Sequence, residues 1–191
     1  MKLIVANILL LLFSNVLIAQ NQVKTYTWEQ AKLLGADTVY SITFEKTKLD
    51  SLPEDLMKFV NLKKLDLSKN DMSKLPSFIS SLTKLEILNL GKNKFITFPA
   101  EICKLTSLKQ LILNRNDIAY IPDCIDQLTQ LEYLDIWDTP VATFPESIVA
   151  LKNLKKIDAR GVMHGPKYQT KWREKLSWVK IEFDSPCNCF E

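Results

Sequence analysis

The sequence predicts an α/β solenoid. It is a short horseshoe arc with a parallel sheet on the concave side, short helices or 3₁₀ turns on the convex side, and a cap at each end. Three observations lead there. Leucine or a close apolar substitute recurs every 23 residues, at Val39, Leu62, Leu85, Leu108, Leu131 and Leu154. Each start opens the pattern L-x-x-L-x-L-x-x-N-x-L-x-x-L-P-x-x-I-x-x-L. In the five full repeats the first, fourth, sixth, eleventh, fourteenth, eighteenth and twenty-first positions are all apolar, although only 47% of the chain is hydrophobic.

Residues 1–19 read as a secretory signal. Lys2 precedes an apolar run from Leu3 to Ala19, interrupted only by Asn7, Ser14 and Asn15, and polar Gln20-Asn21-Gln22 follows. The other reading is an uncleaved anchor helix, for which the run is short. No further membrane candidate follows, so no transmembrane segment is expected in the mature chain. The expected location is outside the cytoplasm: periplasm, cell surface or extracellular. A cytoplasmic location follows only if residues 1–19 are no signal. Residues 20–38 form the expected N-terminal cap. Thr27-Trp28-Glu29-Gln30 has capping-box spacing, Trp28, Ala31 and Leu34 share a helical face, and Gly35 is a natural stop.

Residues 39–163 hold the repeats, five full ones plus a final strand. Leu-x-Leu has period two, so both side chains share one face of a short strand. The later Ile-x-x-Leu spacing is helical, so the chain turns back through a helix or 3₁₀ turn. Pro53, Pro76, Pro99, Pro122 and Pro145 hold the fifteenth position, where proline suits a first helical residue. No repeat can bury its seven apolar groups alone, so neighbours stack. Asn70, Asn93 and Asn116, at the ninth position, lie inside the coil. Each must bond backbone groups of its own and the adjacent repeat. Thr47 and Thr139 replace them at the ends of the ladder.

Residues 164–191 form the expected C-terminal cap. Tyr168, Trp172 and Leu176 are spaced by four, as on a helix, and Val179, Ile181 and Phe183 alternate, as on a strand. Trp28, Trp172 and Trp178 are read as cap packing. With the repeats in view, the chain resembles the leucine-rich repeat family, in its 23-residue subtype with Leu-Pro-x-x-Ile in the convex half. The leader adds a similarity to small exported bacterial members. The resemblance spans Val39 to about Met163 and implies a binding scaffold, with partners left open.

The chemistry of catalysis is sparse. His164, in the Met163-His164-Gly165-Pro166 link, is the one histidine and reads as part of a solvated loop. Without it no Ser-His-Asp or Cys-His arrangement can be written. The four glycines build no phosphate cradle, and no metal site or cofactor is expected. With 25 basic and 22 acidic residues, the balance gives no argument for nucleic acid. Four cysteines in an exported chain raise disulfides. Cys103 and Cys124 lie in successive repeats but out of register, at the nineteenth and seventeenth positions, so a bridge and two partly buried thiols are both open. Cys187-Asn188-Cys189 reads as a tail staple, a strained local disulfide or a redox pair.

A partner is expected on the sheet face. The third, fifth, seventh and eighth positions of each repeat point outward there. Most are polar, but Ile87, Ile112, Tyr133 and Trp137 fall on three adjacent strands, with Asn89, Asn114, Arg115, Asp135 and Arg160 around them. Apolar groups ringed by polar ones match the anatomy of an interface hot spot. Six strands offer a footprint on the order of 400 Å², half of a standard interface side. The expected function is therefore non-catalytic recognition of a protein, or of a glycan, through this face. Two alternatives are a structural component of the cell envelope without a dedicated ligand, and a thiol-redox protein using Cys187 and Cys189.

Overall fold

The computed structural model describes residues 23–161 and 164–185. The expected signal at residues 1–19 and the Cys187/Cys189 pair lie outside them. Eight strands form one parallel sheet in chain order: β1 (Tyr26–Thr27), β2 (Ser41–Thr43), β3 (Lys64–Asp66), β4 (Ile87–Asn89), β5 (Gln110–Ile112), β6 (Tyr133–Asp135), β7 (Lys156–Asp158) and β8 (Lys180–Glu182). From β2 to β7 the paired residues differ by one 23-residue repeat, as in Ser41↔Lys64 and Leu111↔Leu134. This is a leucine-rich-repeat solenoid. Two strands outside the repeats extend the sheet: β1 precedes the first repeat and β8 follows the last. Seven strand intervals span roughly 34 Å, which raises the flat footprint to about 600 Å².

The return segments are 3₁₀ turns of five residues, Glu54–Lys58, Ser77–Ser81, Ala100–Lys104, Asp123–Gln127 and Glu146–Ala150. The prolines sit one residue before the expected first helical position. Each is the cap residue with extended ψ, from 110° to 160°. Its carbonyl accepts the first turn bond, as in Leu56 N to Pro53 O at 3.0 Å. The missing proline N–H costs nothing there, because that residue has no intrahelical bond to make.

Of the seven apolar columns, every side chain in the five full repeats is buried except Leu49, which is half-buried. Inside each coil the asparagine stitches two repeats. Asn116 Nδ2 donates to Leu90 O (3.0 Å) and Leu113 O (2.8 Å), and its Oδ1 accepts from Phe95 N (3.1 Å). Asn70 and Asn93 repeat the pattern. Thr139 keeps only the bond to its own repeat, Oγ1 to Ile136 O at 2.6 Å. The cysteines meet across adjacent turns: Cys103 and Cys124 form a disulfide, with Cα atoms 5.7 Å apart. The offset in register is absorbed because both residues lie on tight convex turns.

The segments flanking the repeats differ from expectation in three places. The N-terminal helix α1 (Trp28–Ala31) has the capping box at Thr27 and Gln30, but it ends after one turn. Leu34 is therefore 42% exposed instead of packing beside Trp28. In the C-terminal cap, α2 (Pro166–Lys175) buries Trp172 edge-on against Phe144, at 5.3 Å between ring centroids. Trp178 follows this helix and is 41% exposed, with Lys152 Nζ 4.3 Å above its ring. His164 is no solvated loop residue. It is 7% exposed and stacks on Tyr168 with ring centroids 4.1 Å apart and planes 10° from parallel. The aromatic face of α2 folds back over the link, and nothing in the local sequence around His164 signals that.

Candidate functional site: the concave sheet face

Two outward rows cross the paired strands. The third-position row runs Ser41, Lys64, Ile87, Gln110, Tyr133, Lys156 and Lys180, and the fifth runs Thr43, Asp66, Asn89, Ile112, Asp135, Asp158 and Glu182. Outward does not mean exposed. Ser41 is fully buried, its hydroxyl 2.8 Å from that of Thr25. Ser68, Asp135 and Asp158 are also buried. A concave face shields its floor, and the N-terminal segment covers its first strand.

The fifth-position row also closes each strand. Asp66, Asn89, Asp135 and Asp158 accept the backbone N–H two residues on, from Ser68 (2.9 Å), Gly91 (3.0 Å), Trp137 (3.0 Å) and Arg160 (3.3 Å). These are Asx turns. Ile112 alone in these repeats gives up that cap, so an apolar group stands in a polar row. The eighth-position residues then adopt left-handed backbone: Lys46, Lys69, Lys92, Arg115 and Asp138 have φ between 53° and 59°, and Gly161 has 87°. Only Gly161 announces this in the sequence. A Cβ there would lie 2.6 Å from Asp138 N. Each of the others recovers part of the strain by donating its N–H to the next coil, as Arg115 N does to Trp137 O at 2.9 Å.

The candidate residues separate into two sets. Ile112, Asn114, Tyr133 and Asp135 line one depression of about 460 Å³. Glu45, Asp66, Ser68, Lys69, Asn89, Gly91 and Lys92 complete its lining. Ser68 and Gly91, small residues in the seventh-position row, open this space. Their size was the available signal, and composition by row did not reveal it. Asn114 Nδ2 donates to Asp135 Oδ2 at 2.7 Å. Burial pushes the Asp135 carboxyl above its ordinary range. Burial and then the nearby Asp135 charge push the Tyr133 hydroxyl up to about 12.

Ile87, Arg115, Trp137 and Arg160 do not line the depression. Arg115 lies over the Trp137 ring at 4.3 Å and pairs with Asp138 at 3.5 Å. Arg160 grips Asp158 through Nε (2.9 Å) and Nη2 (2.6 Å), and those bonds hold its pKa well above the usual range. Both arginines are therefore engaged within the chain. Beside the face, the second-position column alternates in charge. Glu86 meets Lys63 (3.1 Å) and Lys109 (2.7 Å), and Glu132 meets Lys155 (2.7 Å). That flank satisfies itself.

A larger cavity, about 610 Å³, lies at the N-terminal end between Trp28, Phe44, Leu49, Leu52 and Pro53. Among the described residues no coil packs on the loop side of the first one, and Leu49 is left half-buried there. The cavity's apolar lining is the open end of the core. Among the described residues no cluster of three or more His, Cys, Asp or Glu side chains is placed to hold a metal ion, and no helix is long and apolar enough to cross a membrane.

Residues 60–118 and 83–141 match the leucine rich repeat family model. The chain has a leucine-rich repeat fold. A solved leucine-rich repeat protein of Leptospira interrogans superposes with a TM-score of 0.60 at 28% sequence identity, over 78% of this chain and 43% of that one. This chain thus spans less than half the length of that protein. No curated protein sequence matches it. Leucine-rich repeat domains are in general non-catalytic scaffolds that bind proteins. That generality directs attention to the sheet face and leaves the ligand open.

Proposed function

We propose that this is an exported, non-catalytic recognition protein, of the 23-residue Leu-Pro-x-x-Ile subtype found in small bacterial members. Residues 20–38 and 164–191 cap its repeats, and it binds a protein partner through the concave face. The observation that carries this reading is the break in an otherwise polar surface. Ile87, Ile112, Tyr133 and Trp137 interrupt the outward rows of β4 to β6, and Ile112 does so at the expense of a strand-closing hydrogen bond. An apolar residue that forgoes a cap worth about 1 kcal/mol has a reason outside the fold. Asn114, Arg115, Asp135 and Arg160 surround these residues as the polar rim. Export is supported by the leader at residues 1–19 and by the Cys103–Cys124 bridge, since disulfides persist in oxidising compartments.

The test is affinity capture from envelope material and culture fluid, with residues 20–191 beside a Trp137→Ala, Ile112→Glu variant of equal thermal stability. A species held by the first and lost by the second establishes the face. Equal capture by both moves the binding surface to the convex side or the caps.

A further inference from the structure

Charge compensation along the fifth-position row is uneven. Glu182 on β8 meets Lys180 (2.8 Å), Lys156 (3.0 Å) and Arg160 (3.9 Å). Asp158 on β7 is held by Arg160 at 2.6 Å. Asp135 on β6 is 9% exposed and, among the described residues, meets no cationic side chain within ion-pair distance. Its partners are the Trp137 N–H (3.0 Å) and the Asn114 amide (2.7 Å). The strand-closing cap does not need that charge, because Asn89 closes the same turn with a neutral amide at 3.0 Å. A carboxylate withdrawn from water therefore stands where an amide would do, on the wall of the 460 Å³ depression beside Ile112 and Tyr133.

Building on the reading of this face as the binding surface, we propose that Asp135 seats a cationic side chain, arginine or lysine, carried by the protein partner. Ile112 and Tyr133 receive its aliphatic stem. The chemistry favours a cation for two reasons. Folding has already stripped most water from Asp135, so an incoming cation gains the attraction without desolvating the carboxylate again. Burial also holds this carboxyl above its ordinary pKa, and a cation seated beside it stabilises the charged form. The nearby cations do not fill the role: of the two lysines lining the depression, Lys69 pairs with Glu45 at 2.6 Å, and neither it nor Lys92 reaches Asp135 within ion-pair distance. Arg160 is committed to Asp158, Lys156 to Glu182, and Arg115 to the Trp137 ring and Asp138. A neutral sugar would find its hydrogen-bond acceptors here equally well in an amide, and so would not require the charge.

The experiment titrates blocked Ala-Arg-Ala and Ala-Lys-Ala peptides, and the neutral Ala-citrulline-Ala isostere, into the isotope-labelled chain. The Ile112 methyl groups and the Trp137 indole N–H are followed by NMR. The proposal expects saturable shifts with the two cationic peptides and none with the citrulline peptide. It also expects a loss of affinity of at least about tenfold in Asp135→Asn, the size of one charge-assisted hydrogen bond. That variant retains the fold, since Asn89 shows the amide in the same cap; an unchanged amide spectrum away from β6 verifies this. Equal response to citrulline, no response to either cationic peptide in the millimolar range, or unchanged affinity in Asp135→Asn overturns it. If partner capture depends on Trp137 and Ile112 while Asp135→Asn changes nothing, the face remains and the cation seat is gone.

Discussion

Replacing Asn116 by alanine tests whether the asparagine ladder, and not leucine burial alone, holds successive coils in register. The residue is 4% exposed; its Nδ2 donates to Leu90 O (3.0 Å), Leu113 O (2.8 Å) and, at a longer 3.4 Å, Asn114 O, and its Oδ1 accepts from Phe95 N (3.1 Å). Two of these reach the preceding repeat, at Leu90 and Phe95. Alanine leaves Leu113 O and Phe95 N without their partner in a site too closed for bulk water, while Leu90 O still accepts from Asn93 Nδ2 at 2.9 Å. At about 1 kcal/mol for each orphaned group, the loss is about 2 kcal/mol. For a chain of this size that lowers Tm by about 4–8 °C. Threonine gives an internal scale. Thr139 holds the equivalent place and keeps one bond, to Ile136 O at 2.6 Å. Asn116→Thr should therefore restore the bond to Leu113 O alone and cost about 1 kcal/mol, between wild type and alanine. Urea unfolding followed by circular dichroism, with an unchanged denaturant slope, measures all three proteins. A loss below about 1 kcal/mol for alanine, or threonine no better than alanine, refutes the reasoning. Leucine stacking alone would then keep the coils aligned.

Three further outcomes follow from the structure. Removing the bridge with Cys103→Ser, Cys124→Ser should cost about 3 kcal/mol by restoring freedom to the unfolded chain, and strong reductant should shift the wild-type melt by a similar amount while leaving the double variant unmoved. Burial holds His164 below its ordinary pKa, so the fold prefers the neutral ring. The stability that comes from this preference is present above about pH 6.5 and is lost as pH falls through the lowered pKa. Melting curves from about pH 7.5 to about pH 5 should show Tm falling for wild type and staying flat for His164→Phe, which keeps the stack on Tyr168; parallel curves contradict this. Glu45, Glu86, Glu146 and Glu182 do not confuse that window, because lysine partners hold all four carboxyls below 4.5. Asp135 has the opposite sign: its raised carboxyl pKa favours the fold at low pH and opposes it once the group ionises. Asp135→Asn should therefore raise Tm at pH 7, with the gain vanishing below about pH 4; a lower Tm at pH 7 would show that the carboxylate stabilises the fold.

The fold was legible because each of its determinants is written many times. A seven-column apolar pattern in five copies admits one stacking, and the strand register, the buried asparagines and the convex turns all follow from it. Features present once were not legible. His164 is buried by an aromatic face that begins four residues later in sequence but is assembled only in space. Leu34 stays exposed because the cap helix stops after one turn, and neither propensity nor spacing encodes that stop. The candidate site occupies a middle position. The apolar interruptions at Ile112, Tyr133 and Trp137 stand out against polar columns, because repetition supplies the background against which a departure is visible. An outward position is not always an exposed one, however, because the sheet is not flat. Curvature turns part of the fifth-position row into a floor, so Asp135 is buried while Asn89, two strands away in the same row, remains half-buried. The depression exists because Ser68 and Gly91 omit side chains, and an omission carries no signal in a search for chemically reactive residues. In a solenoid, columns read down the repeats for their departures in size as well as polarity would have located this hollow before its charge was considered.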